Sequence, residues 1–332
     1  MSAGTATTRP RVLLVKSGGE AAVDEWRSHF AHFADVAATE SPEAADLDVR
    51  WWNDASVAPE DVVYALVWQP EAGRLAALPN LRLILSTAAG ADHITSDPTW
   101  PSHVPLLRAV TPEAAQRMGE YVCMASLALL RDLKRSVRQQ AARRWDSFET
   151  ERSATDTCVG ILGLGTMGTR AAEMVRGLGF RTLGWSRSRK TIDGIECHAG
   201  DAELPGFLAR CDILVCLLPA TPETDGILSA ERLAMLPRGA ALVHVGRGSH
   251  LRFDDLRAAL DEGRLAGAFV DVFEQEPLPA DHPAWTHEKI VVTSHNAAVA
   301  SRRMRARFFA AQIAAFERGE VLEGVYDAAR GY

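Results

Sequence analysis

The chain has 332 residues, 47% hydrophobic and 24% charged, and its 36 basic against 43 acidic residues leave a formal net charge of −7. This length predicts two domains of roughly 100 to 200 residues, and the ordinary composition excludes disordered, collagen-like and low-complexity classes. The acidic balance offers no electrostatic footprint for nucleic acid or an anionic membrane, so the expected partner is a small molecule.

The first residues, Met1 to Arg11, carry two arginines but no apolar run, and nowhere do 18 uncharged apolar residues follow one another. Neither a leader nor a membrane span is expected. Cys123, Cys158, Cys197, Cys211 and Cys216 form no CxxC pair. They read as core thiols rather than metal ligands or disulfides, in a cytoplasmic protein.

Short apolar runs then recur with helical stretches between them: Val12 to Val15, Val62 to Trp68, Leu83 to Leu85, Val159 to Leu162, Thr182 to Trp185, Ile213 to Leu218, Ala241 to Val245 and Ile290 to Val292. This alternation predicts an α/β protein with doubly wound parallel sheets. Between the third and fourth runs, Pro112 to Arg144 repeats Ala, Leu and Met at helical spacing, which predicts one domain-crossing helix and then a surface connection from Arg143 to Asp156. Arg302 to Arg318 predicts a last helix that carries the chain back to the first domain.

After the strand ending at Leu162 comes Gly163-Leu164-Gly165-Thr166-Met167-Gly168, followed by a helix expected from Thr169 to Leu178. Alone, a GxGxxG is weak. Between a strand and a helix it is a dinucleotide fingerprint: a tight turn, close approach of pyrophosphate to backbone, and close packing of helix on strand. The helix N-terminus adds N–H groups and a favourable dipole for phosphates. An NAD site places an acid about 20 residues beyond the glycines for the ribose 2′-hydroxyl. Here the second strand ends in Trp185-Ser186-Arg187-Ser188-Arg189-Lys190, without any acid. Arg187, with the hydroxyls of Ser186 and Ser188, suits a 2′-phosphate, so NADP is expected over NAD, with Arg189 and Lys190 peripheral. Leu218-Pro219-Ala220-Thr221-Pro222-Glu223-Thr224 follows a strand on the same sheet edge and faces the cofactor or simply stiffens a turn.

Three more strand ends carry polar chemistry. Arg247 stands in His244-Val245-Gly246-Arg247-Gly248, Glu276 in Asp271-Val272-Phe273-Glu274-Gln275-Glu276-Pro277, and His295 in Thr293-Ser294-His295-Asn296-Ala297-Ala298. A guanidinium can bind a carboxylate and polarise a ketone, a histidine changes protonation near neutrality, and a carboxylate can orient that imidazole. Together they suit reduction of a 2-keto acid, although each alone also reads as structural.

The ordered set of these motifs resembles the D-isomer-specific 2-hydroxyacid dehydrogenase family over essentially the whole chain. More narrowly, Ala65 to Trp68, Trp185 to Lys190, Leu218-Pro219 with Thr221 to Thr224, and Ala329 to Tyr332 are similar to its bacterial members that reduce glyoxylate and hydroxypyruvate. The resemblance implies a Rossmann NAD(P)-binding domain over residues 117–299 and a discontinuous flavodoxin-like substrate domain over 1–116 and 300–332. It implies His295 as acid/base, Glu276 as its partner and Arg247 as substrate ligand, with Trp68, Ala89, Gly90 and Ala91 lining the substrate. Val245, Gly246, Asp271, His295, Ala297, Leu218, Pro219 and Thr224 join Gly163, Gly165, Thr166, Met167 and Gly168 at the cofactor. It also implies a homodimer, NADPH as cofactor with weaker use of NADH, and products glycolate and D-glycerate.

Three residues depart from the family pattern: Ala88 for glycine, His244 for asparagine and Ser294 for proline. Ala88 is expected to narrow the carboxylate cradle or disfavour a positive φ, Ser294 to loosen the approach to His295, and His244 to add a titratable group near the site. A dehydrogenase of a larger 2-keto acid, and a dinucleotide-sensing binding protein that has lost catalysis, stay open as alternatives.

Overall fold

The computed structural model describes residues 11–37 and 47–331. Met1 to Pro10, on which the expectation of no leader falls, and the terminal Tyr332 lie outside those residues. The chain divides into two compact units, Met1–Thr111 with Ala300–Tyr332, and Pro112–Val299.

The first unit builds a five-stranded parallel sheet from β1 (Arg11–Lys16), β2 (Leu47–Trp51), β3 (Val62–Val67), β4 (Leu83–Ser86) and β5 (Leu106–Arg108), in the order β2-β1-β3-β4-β5. Helices α1 (Val23–Ala37), α2 (Asp92–Thr95) and the returning C-terminal helix complete it. β3 and β4 are almost continuously apolar because both faces are covered. Trp26, Phe30, Leu66 and Phe309 pack on one side, and Trp52, Ile84 and Leu75 on the other.

The second unit opens with α3 (Pro112–Leu130) and α4 (Leu133–Ala141). The single helix expected over 112–144 is therefore two, broken where Asp132 takes the left-handed conformation, φ 47°. Then follow β6 (Cys158–Leu162), α5 (Thr166–Gly177), β7 (Arg181–Ser186), β8 (Glu196–Ala199), α6 (Leu204–Leu208), β9 (Ile213–Cys216), α7 (Ala230–Ala234), β10 (Ala240–His244), α8 (Phe253–Asp261), β11 (Leu265–Val270) and β12 (Ile290–Val292). They form a seven-stranded sheet, β12-β11-β10-β9-β6-β7-β8, all parallel. Strand order reverses between β6 and β9, and ligands of open α/β sheets bind outside the carboxyl ends of strands at such a switch point. Cys158, Cys211 and Cys216 are buried in this unit's core. The last helix, α9 (Arg302–Glu317), belongs to the first unit and is capped by the Ser301 hydroxyl, which accepts from the Met304 N–H.

Both sheets are thus doubly wound and parallel, as the apolar runs predict. β2, β5 and β8 carry runs too short or too polar to stand out in the sequence. Among the described residues, no helix is long and apolar enough to cross a membrane.

Candidate active site

The glycine turn sits at the switch point. Helix α5 begins at Thr166, inside the motif and three residues before the expected start. A Cβ on Gly168 would lie 1.8 Å from the Gly163 carbonyl oxygen, so only glycine lets the helix close on the strand. A Cβ on Gly165, the residue preceding the helix, would meet nothing within 4 Å, and no side chain caps the helix. Open space in front of uncapped N–H groups is what a pyrophosphate requires, so the residues present fit a dinucleotide.

At the end of β7, the Ser186 hydroxyl donates to the Ser188 carbonyl at 2.8 Å. Arg189 is committed elsewhere, donating to the Cys197 carbonyl at 2.9 Å and pairing with Glu203. Arg187 stands exposed on the same turn. It faces the loop after β9: Glu223 is held below the usual carboxylate range first by the Thr221 hydroxyl, with a contribution from the charge of Arg187. Within that loop Thr224 Oγ1 donates to the Pro219 carbonyl at 2.8 Å and accepts from the Thr221 N–H at 2.9 Å, which shapes the turn.

The three polar strand ends come together within the second unit. His295 Nδ1 lies 2.7 Å from Glu276 Oε2, and Glu276 Oε1 accepts from the Phe273 N–H at 2.9 Å. A carboxylate only accepts, so Nδ1 carries the proton and Nε2 is left for chemistry. Burial opposes ionisation of Glu276. The His295 hydrogen bond, the Phe273 N–H and the charges of His295 and Arg247 outweigh it, and the carboxyl is held below its ordinary range. Arg247 is brought beside this loop by Gly248, where a Cβ would lie 2.0 Å from the Phe273 carbonyl carbon. Its Nη1 donates to the Gly246 carbonyl at 2.8 Å.

His295 adopts φ 50°, a left-handed conformation uncommon outside glycine, and its neighbours hold it there. Those neighbours are the Asp271 backbone and side chain. The Asp271 carbonyl accepts from the His295 N–H at 2.8 Å, and its buried carboxylate accepts from the N–H groups of Asn296 and Ala297, each at 3.1 Å, and from the Thr293 hydroxyl. Thr293 in turn meets the Tyr121 hydroxyl at 2.7 Å. Asp271 thus grips the loop that carries Ser294 and His295 on both sides of the histidine. Thr293 and Tyr121 escape sequence reasoning, since nothing local couples residues so far apart in the chain.

In the first unit, Ser86 Oγ organises the loop after β4. It accepts from the Ala88 N–H at 3.2 Å, lies 3.0 Å from the Gly90 carbonyl and meets His93 Nε2 at 3.2 Å. Ala88 lies outside the left-handed region, so the strain expected of a positive φ does not arise there. The N–H groups of Ala89 and Gly90 have no acceptor among the described residues. Trp68 is half-buried and stacks on His93, ring centroids 4.3 Å apart. Ala91 precedes α2 and is buried.

A family model described as D-isomer specific 2-hydroxyacid dehydrogenase, NAD binding domain, matches residues 123–297. The chain is 38% identical over 297 residues to a glyoxylate/hydroxypyruvate reductase A of Serratia proteamaculans, covering 88% of this chain and 94% of that one. It is also similar to a D-isomer specific 2-hydroxyacid dehydrogenase of Xanthobacter autotrophicus Py2, solved with NADPH and MES: 37% identity, TM-score 0.87, 97% of this chain and 99% of the other. An NADPH-dependent glyoxylate/hydroxypyruvate reductase of Sinorhizobium meliloti, solved with NADP and sulfate, matches at 32% identity and TM-score 0.84, covering 97% and 100%.

Proposed function

The chain belongs to the D-isomer specific 2-hydroxyacid dehydrogenase family, and from that premise we propose that it is an NADPH-dependent reductase of small 2-keto acids, converting glyoxylate to glycolate and hydroxypyruvate to D-glycerate. The observation that carries the reading is the 2.7 Å contact of His295 with Glu276 beside Arg247, on the unit that holds the dinucleotide fingerprint. The named relatives support the substrate class.

The chemistry supplied by the bound dinucleotide is a hydride to the carbonyl carbon of the keto acid. The Arg247 guanidinium binds the substrate carboxylate and polarises the ketone. As the carbonyl oxygen gains charge, His295 Nε2 delivers a proton to it, and the product is the neutral 2-hydroxyl. Glu276 keeps the imidazole in the tautomer and orientation that make this transfer possible, and stabilises the imidazolium before it discharges. Gly163 to Gly168, Val245, Gly246, Ala297 and the Leu218 to Thr224 loop hold the dinucleotide. Arg187, with Ser186 and Ser188, binds its 2′-phosphate, and NADH is a weaker substrate.

We assign dinucleotide binding, Arg247 and the His295–Glu276 pair to the second unit, and to Trp68 and Ala89 to Ala91 of the first unit a contact with the substrate. The chain acts as a cytoplasmic homodimer. The dimer is supported by exposed apolar residues of the second unit, Met124, Leu127, Leu133, Val137 and a 99% exposed Trp145, which a second copy would cover; sedimentation tests it. The cytoplasmic placement rests on the cysteine pattern.

His295→Ala tests the mechanism. Turnover of glyoxylate should fall by about 10²–10⁴-fold while NADPH binding, read by nucleotide fluorescence, is kept; wild-type turnover in the variant would refute it. Rates with glyoxylate, hydroxypyruvate, pyruvate and phenylpyruvate under one set of conditions test the substrate class. Failure of glyoxylate and hydroxypyruvate would move the assignment to a different or larger keto acid.

A further inference from the structure

Two histidines that the mechanism does not use hold the backbone of the arginine it does use. His244, at the end of β10, and His250, three residues beyond Arg247, are both fully buried. His250 Nδ1 accepts from the Arg247 N–H at 3.1 Å, and His244 Nε2 lies 2.9 Å from the Arg247 carbonyl. Both polar groups of one peptide residue are thus met by imidazoles.

The proton positions follow from the partners. A backbone N–H donates, so His250 Nδ1 is bare and Nε2 carries the hydrogen, which it donates to the Pro219 carbonyl at 3.1 Å. A carbonyl accepts, so His244 Nε2 carries its hydrogen. Burial drives the His244 pKa down to about 3, with the neighbouring His250 adding to the effect, so this imidazole stays neutral. His250 fills the place of the Glu or Gln of a helix capping box, with Arg247 as the capping residue.

Cys216, His244 and His250 also bring ligand atoms within 4.8 Å of one another, a possible metal constellation. Both nitrogens of His250 are already committed, to the Arg247 N–H and the Pro219 carbonyl. The remaining His244 Nδ1, which has no partner, and the Cys216 thiol fall short of a metal's coordination number. The cluster is spent on the arginine.

We propose that His244 and His250 are positioning residues that fix Arg247 for the substrate carboxylate, and that His250 additionally ties Arg247 to the Pro219 loop assigned to the dinucleotide. The inference rests on the reductase reading. An asparagine amide at position 244 can also donate to a carbonyl, which makes His244→Asn the conservative replacement.

The test is steady-state kinetics with glyoxylate and saturating NADPH, together with NADPH binding and thermal unfolding, for wild type, His244→Ala, His244→Asn, His250→Ala and His250→Gln. Losing the donor to a buried carbonyl should raise the glyoxylate KM of His244→Ala about tenfold, with NADPH affinity unchanged, and His244→Asn should recover most of it. His250→Ala should raise both the glyoxylate KM and the NADPH Kd, and His250→Gln, a capping-box acceptor, should restore the first. A folded His244→Ala with wild-type glyoxylate KM, or equal impairment in His244→Ala and His244→Asn, overturns the proposal while leaving the reductase reading intact. A wild type that reduces no keto acid overturns both.

Discussion

Arg247 and Arg187 are both assigned to anions, and the chain builds them in opposite ways. Arg247 has its N–H and carbonyl held by two buried imidazoles, its guanidinium on the Gly246 carbonyl, and its following glycine wedged against Phe273 and Glu274. Arg187 stands on an exposed turn whose other basic residue with a defined partner, Arg189, is tied to Glu203. The difference matches the tasks. Polarising a reacting ketone needs a fixed geometry, because a misplacement of about 1 Å can cost on the order of a hundredfold in rate. Choosing NADPH over NADH needs only a charge of the right sign within reach of a flexible phosphate.

That contrast can be broken most sharply at the rigid end. Arg247→Ala should lower kcat/KM for glyoxylate by about 10² to 10³-fold, the value of two charge-assisted hydrogen bonds, and Arg247→Lys should recover little, because a point charge does not reproduce the planar fork. Full rescue by lysine, measured by steady-state kinetics, would mean that geometry at this position is unimportant. Glu276→Gln keeps a partner for the imidazole but removes the charge that steadies the imidazolium. A fall in kcat of about 10 to 100-fold is expected with NADPH affinity unchanged, and an unchanged kcat would remove Glu276 from the mechanism.

At the exposed end the effect should be smaller and confined to one cofactor. Arg187→Ala should weaken NADPH by about 10 to 100-fold and leave NADH nearly unaffected, read from the KM of each. Equal losses for both would assign Arg187 to the turn rather than to the phosphate.

The two ends also differ in how far the sequence reveals them. Arg247, Glu276 and His295 all lie in segments that follow strands, and a parallel sheet gathers its strand ends at one edge, which makes them candidates; their convergence is read from the structure. Arg187 is legible because an acid is missing where one is expected. Asp271 as the grip on the His295 loop is not legible, because its carboxylate reaches Thr293, Asn296 and Ala297 across the space between two strands. Nor is the helix break at Asp132, where a left-handed residue interrupts an otherwise continuous helical pattern. The strain foreseen at Ala88 does not arise for a related reason: it depends on local backbone conformation, which residue identity alone does not fix.

The smallest effect concerns stability. His244 is held neutral in the fold with a pKa of about 3, while an unfolded histidine titrates near 6.5. The unfolded chain therefore binds more protons below about pH 6.5, and this site costs stability progressively as pH falls from there towards about 3. His244→Asn removes the penalty. Relative to wild type, the variant should gain about 1–2 kcal/mol between pH 8 and pH 5, measured by urea unfolding; a pH-independent difference would show that His244 accepts a proton in place.

Reductase activity and cofactor choice are both read from the initial rate of nicotinamide oxidation with glyoxylate, measured with NADPH and NADH in parallel. Turnover should be fast with NADPH and weak with NADH. Turnover with NADH alone would contradict the role of Arg187, and no turnover with either cofactor would contradict the reductase itself.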